Sequence, residues 1–145
     1  VRINTGHYEA VEITYNPDVV SYEEIVHLFF RSVDPTDAGG QFCDRGDSYR
    51  TAIFVSDAAE RSTAQSAKIE AAVALGKEVV TPILDASAFY PAEEYHQDYY
   101  KSGAIIITRF GPLSKAKAYK RYREASGRDA RVAELWGNDA PFLGN

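Results

Sequence analysis

"YRTAIFVSDAAERSTAQSAKIEAAVALGKEVVTPILDAS", residues 49–87, decides the fold. Residues 49–55 are rich in β-branched and aromatic side chains and read as a central strand. Ser56 or Asp57 then caps an alanine-rich helix that runs to Leu75, and Gly76 stands where a left-handed terminating residue belongs. "EVVTPILDAS" (78–87) is the next strand, and Pro82 marks it as an edge or a bulge because proline donates nothing to a ladder.

Upstream, "YEAVEITYNP" (8–17) alternates, with Glu9, Val11, Ile13 and Tyr15 on one face and Tyr8, Ala10, Glu12 and Thr14 on the other. That pattern predicts a first strand, closed by the turn chemistry of Asn16-Pro17-Asp18. "SYEEIVHLFFRSVD" (21–34) opens with Ser21 and Glu24 at capping-box spacing. Ile25, Leu28, Phe29 and Val33 line one face of the helix, Val26 and Phe30 widen it, and Asp34 before Pro35 stops it. Downstream, "FYPAEEYHQDYY" (89–100) predicts a short helix or turn and "AIIIT" (104–108) a short strand. The end, from Leu113 to Trp136, is mostly helical with a break at Gly127. The order β-α-β-α-β, then irregular structure and helix, predicts an α+β fold. A small mixed β-sheet is flanked by helices, a long irregular C-terminal region follows, and residues 1–145 form one domain.

Composition narrows the function. Hydrophobic residues make up 45% of the chain and charged residues 26%, the balance of a globular protein. A net charge of −5 argues against a sequence-independent grip on nucleic acid, and the basic stretch "KAKAYKRYR" (115–123) reads as the solvated face of a helix. The longest clean apolar run, "AIII" (104–107), is too short to span a membrane. One cysteine cannot close an internal disulfide, which fits a reducing compartment, and the cytoplasm is the expected location.

"PTDAGGQFCDRGDS" (35–48) is a long polar loop without periodicity, of a length that tends to be functional when ordered. It holds Cys43 and Asp44 and leads into Tyr49. Asp44 and the Tyr49 phenol could orient a polar substrate, or they could cap a turn and pack in the core. Cys43 reads as a small buried hydrophobe or as a thiol activated by Arg45 and Arg50. Glu9 shares the face of Val11 and Ile13, where a desolvated carboxyl would stay protonated and able to donate at neutral pH. It could equally lie at the mouth of the strand, exposed or paired. His96 stands among Glu93, Glu94 and Asp98 without the convergent ligands a metal needs, so no metal is expected.

"TGHYEAVEITYNP", "SYEEIVHLFFRSVDPT", "GQFCDRGDSYRTAIF", "EEYHQDYY" and "GRDARVAELWG", taken in order, resemble the A-type peptide methionine sulfoxide reductases. The resemblance runs from about Thr5 to Trp136. It implies a peptide-methionine (S)-S-oxide reductase that repairs oxidised methionine, free or in proteins. A thiolate attacks the sulfoxide sulfur and becomes a sulfenic acid, and a second thiol and then thioredoxin, or another thiol reductant, restore it. No cofactor, nucleic acid or membrane is implied, and a monomer is expected. Carried over by motif, Glu9 is the acid that protonates the sulfoxide oxygen. Asp44 orients the substrate, the Tyr49 hydroxyl bonds the oxygen, and His96 and Tyr99 line the pocket edge.

The family nucleophile lies in a Gly-Cys-Phe-Trp motif that this chain lacks, and Ser126 stands where many relatives carry a recycling cysteine before Gly-Arg-Asp. Three readings stay open. The catalytic segment belongs to the intact protein, N-terminal to Val1; or the chain is a non-catalytic methionine-sulfoxide-binding module; or Cys43 serves as a relocated nucleophile or recycling thiol.

Overall fold

In a computed structural model describing residues 6–143, the first regular element is helix α1, Tyr22–Ser32. Its capping box forms in full: the Ser21 hydroxyl accepts from the Glu24 amide and the Glu24 carboxylate accepts from the Ser21 amide, both at 3.1 Å. Two strands of two residues follow, β1 (Gly40–Gln41) and β2 (Asp44–Arg45), antiparallel to each other. The long loop of the sequence is thus folded into a small hairpin and then a 3₁₀ turn, Asp47–Tyr49. The expected strand over 49–55 is confined to β3, Ile53–Val55, because that turn already occupies its start.

Helix α2, Ala58–Leu75, is capped as expected, with the Asp57 carboxylate accepting from the Glu60 amide at 2.8 Å and Gly76 left-handed at φ 60°. It returns the chain to β4 (Ile83–Asp85), which pairs in parallel with β3 in the register Ile53 to Ile83. Below that ladder the buried Thr51 and Thr81 hydroxyls share a 2.7 Å hydrogen bond. Residues 86–104 carry one 3₁₀ turn, Glu94–His96. A second hairpin follows, β5 (Ile105–Thr108) with β6 (Gly111–Ser114). Helices α3 (Lys115–Ala125) and α4 (Arg128–Trp136) close the chain, broken at a left-handed Gly127 with φ 72°.

The core lies where α1, α2 and α4 meet the parallel ladder. Val26 and Phe30 of α1 pack with Val55, Val132, Trp136 and an inward row of Ala64, Ala67 and Ala71. Alanine in that row lets the α1 and α2 backbones approach closely, so side chains on α1 fill the space. The α+β class holds, but among the described residues pairing is spread over three two-stranded ladders, one parallel and two antiparallel, and no single mixed sheet unites them.

The first strand does not form. No ladder among the described residues includes 8–15, and Val11 and Ile13 are exposed at 83% and 57%. Alternation specifies a strand only when a neighbour supplies the ladder and another layer covers the face. The backbone bond joining this stretch to the body runs from the Glu9 amide to the Ser48 carbonyl, at 2.8 Å. The helical end expected from Leu113 begins instead at Lys115, because Leu113 and Ser114 pair in β6.

Candidate active site

Polar side chains, rather than a core, shape residues 34–50. Asp34 is buried at the end of α1, and its carboxylate accepts from the Thr36 hydroxyl at 2.6 Å, the Thr36 amide at 3.0 Å and Arg131 Nε of α4 at 2.7 Å. Burial pushes this carboxyl up, but the hydrogen bonds from Thr36 and Arg131 outweigh it and hold the group below the usual carboxylate range. The Gln41 amide bonds both the N–H and the C=O of Asp34, pinning β1 to the end of α1.

At the neck of the hairpin, Arg45 grips Asp37 with both guanidinium arms, one at 2.9 Å, and these bonds lower the Asp37 carboxyl. Gly40 has φ 153°, and a Cβ there would meet the Asp44 carbonyl oxygen at 2.2 Å, so only glycine fits. Phe42 at the tip takes φ 51°, rare for a bulky residue. Its ring packs on the core beneath the Arg128 guanidinium, 4.9 Å from the ring centre.

Three of the expected site residues come to this loop. Asp44 starts β2, and Tyr49 ends the 3₁₀ turn, whose amide bonds Gly46 O at 3.1 Å while the Gly46 amide bonds Gly39 O at 2.9 Å. Glu9 arrives through its amide bond to Ser48, the residue before Tyr49. All three are exposed. The alternation argument for a desolvated Glu9 therefore fails in this structure, for the same reason that the strand fails: nothing described covers that face. Glu9 is exposed, as in the alternative reading, but no strand forms there.

Cys43 is exposed at the hairpin tip, which removes its reading as a small buried hydrophobe. His96 and Tyr99 are held by contacts of their own: the Tyr95 and His96 rings lie 4.0 Å apart, and Lys115 on α3 sits over Tyr95 and Tyr99 while donating to the Tyr95 carbonyl at 2.8 Å. Two cavities of about 260 Å³ lie elsewhere, one between α1 and α2 beside His27 and Glu70, the other beside Arg123 and Arg128. Neither is lined by Glu9, Asp44 or Tyr49. Among the described residues no group of three or more His, Cys, Asp or Glu could hold a metal ion, and no helix is long and apolar enough to cross a membrane.

The contacts of Tyr8 and of Tyr90 escaped the sequence reading. Tyr8 lies between the Arg50 guanidinium, 5.3 Å from its ring centre, and the Phe54 ring at 5.5 Å, and His7 meets Tyr90 edge-on at 5.9 Å. These pairs are far apart along the chain, and no spacing rule could have found them.

Asp44 and Tyr49 thus share one loop, to which the Glu9 amide is bonded at Ser48. The profile of the peptide methionine sulfoxide reductases matches residues 1–134. The peptide methionine sulfoxide reductase MsrA of Bacillus pumilus is 44% identical over 136 residues, covering 92% of this chain and 70% of its own. That of Listeria innocua is 47% identical over 135 residues, covering 91% and 69%, and MsrA 2 of Caulobacter vibrioides is 46% identical over 134 residues, covering 92% and 62%. Among solved structures, reduced Mxr1 from Saccharomyces cerevisiae superposes with a TM-score of 0.58 at 37% identity, over 60% of this chain and 48% of that one. The chain belongs to the A-type peptide methionine sulfoxide reductase family, and it spans about half to two thirds of the length of these relatives.

Proposed function

We propose that this chain supplies the sulfoxide-holding part of an enzyme that reduces methionine S-sulfoxide, free or in proteins, to methionine. The observation that supports the reading is the bond from the Glu9 amide to the Ser48 carbonyl, which brings the backbone of residue 9 to the turn that ends at Tyr49, in the loop that bears Asp44. A thiolate attacks the sulfoxide sulfur, and Glu9 in its acid form gives a proton to the oxygen while Tyr49 holds that oxygen by a hydrogen bond. The S–O oxygen ends on the attacking sulfur as a sulfenic acid, and methionine leaves with the electron pair. A second thiol then displaces water to form a disulfide, which thioredoxin or another dithiol reduces. Asp44 orients the substrate, and His96 and Tyr99 close the edge of its pocket.

Glu9 is open to solvent here. Substrate and the segment carrying the nucleophile are the natural cover. The nucleophile belongs to a segment outside these 145 residues, and the exposure of Cys43 supports it as the thiol that resolves the sulfenic acid.

Thiol-driven reduction of methionine S-sulfoxide tests this in the 145-residue chain, its Cys43→Ser variant and a form extended at the N-terminus with the Gly-Cys-Phe-Trp segment. Turnover is expected only in the extended form, with Glu9→Gln lowering kcat by about a hundredfold and Tyr49→Phe by about tenfold, the range of a lost proton donor. Parental rates in both variants overturn the residue roles. Sulfoxide binding without turnover in every form points to a binding module instead.

A further inference from the structure

We infer that Tyr8 is a positioning residue that sets the Glu9 carboxyl against Tyr49. It rests on Glu9 being the acid of the site. Among the described residues no ladder includes 8–15, and the contacts of residues 8 and 9 tie this stretch to the turn at Asp47–Tyr49. Tyr8 turns inward and is half-buried while Glu9 turns outward and is exposed. The inward ring is held on two sides. Phe54 of β3 meets it edge-on at an interplanar angle of 80°, and Arg50 lies over it at 5.3 Å. Arg50 is itself tied to the 3₁₀ turn, donating from Nε to the Asp47 carbonyl at 3.2 Å. The same turn receives the Glu9 amide at Ser48 and ends at Tyr49. Turn, guanidinium, ring and amide therefore close a circuit that ties the backbone of residue 9 to the turn ending at Tyr49. Remove the ring and the carboxyl keeps its chemistry but loses its place.

Hydrogen exchange of the Glu9 amide in the 145-residue chain reads the frame without any turnover. Tyr8→Ala is expected to speed that exchange by about tenfold or more, with amides of α1 and α2 unchanged, whereas Tyr8→Phe, which keeps the ring, stays within about twofold. In the extended enzyme, Tyr8→Ala is expected to lower kcat about tenfold with KM within about twofold, the mark of a misplaced rather than missing group, and Tyr8→Phe to restore it. Unchanged Glu9 exchange in Tyr8→Ala overturns the inference, and so does a parental kcat in Tyr8→Ala where Glu9→Gln is slow. A parental kcat in Glu9→Gln instead overturns the acid role itself. If the extended form is silent, the exchange measurement alone decides whether Tyr8 holds Glu9.

Discussion

Two regions of this molecule carry similar apolar residues to opposite ends. Val26 and Phe30 of α1 and Val132 and Trp136 of α4 are buried, down to Phe30 at 0% exposure, while Val11, Ile13 and Val19 before α1 and Ile105 and Ile107 of β5 stand in solvent, up to Ile107 at 89%. The difference lies in what each element needs from its surroundings. A helix satisfies its own backbone and asks only for one apolar neighbour, whereas a strand asks for a ladder and a covering layer together. α1 and α2 found each other. Residues 8–15 found one backbone bond and one gripped ring.

The widest gap expected from this contrast is between Phe30→Ala and Ile107→Ala. The first should cost about 3–5 kcal/mol in urea unfolding. The second should stay within about 0.5 kcal/mol, as an exposed side chain does. Equal costs would mean that β5 is packed in solution and would dissolve the comparison.

Asp34 joins the buried body to the site loop, and Asp34→Asn removes the charge that Thr36 and Arg131 stabilise. A loss of about 1–3 kcal/mol near neutral pH is expected, the value of hydrogen bonds to a charged group. Because the folded carboxyl is lowered, its contribution is complete above the unfolded carboxylate range and is lost as pH falls through the folded value. The parent should therefore lose stability steeply below about pH 4, where the variant's curve is flatter. Parallel curves would show that Arg131 is better read as a surface pair.

The smallest effect should come from the boundary between the two regions. Ser21→Ala removes the cap that starts α1 just after the uncovered stretch, at a cost of about 1 kcal/mol by thermal melting. A cost near zero would show that tertiary packing alone starts the helix.

What the sequence made legible follows the same division. The caps at Ser21 and Asp57, the stop at Gly76 and the break at Gly127 are local chemistry, and each stands where the pattern placed it. The strand at 8–15 was misread because alternation records a preference and not the presence of a neighbour. Asp44, Tyr49 and Glu9 were singled out by motif, and the backbone bond from Glu9 to Ser48, beside Tyr49, is seen only in space. The grip of Arg50 and Phe54 on Tyr8 had no signal at all, since its members are ordinary aromatic and basic residues more than forty positions apart.

Cys43 has one more consequence. It is the only thiol in the chain and it points outward from a two-residue tip beside the site loop. These 145 residues thus offer one addressable sulfur, to which a fluorophore or spin label can be attached without any engineered substitution. Set on a hairpin whose neck is locked by Arg45 and Gly40, such a label would report the arrival of a sulfoxide peptide or a reductant as a local change in mobility, from a site that is already there.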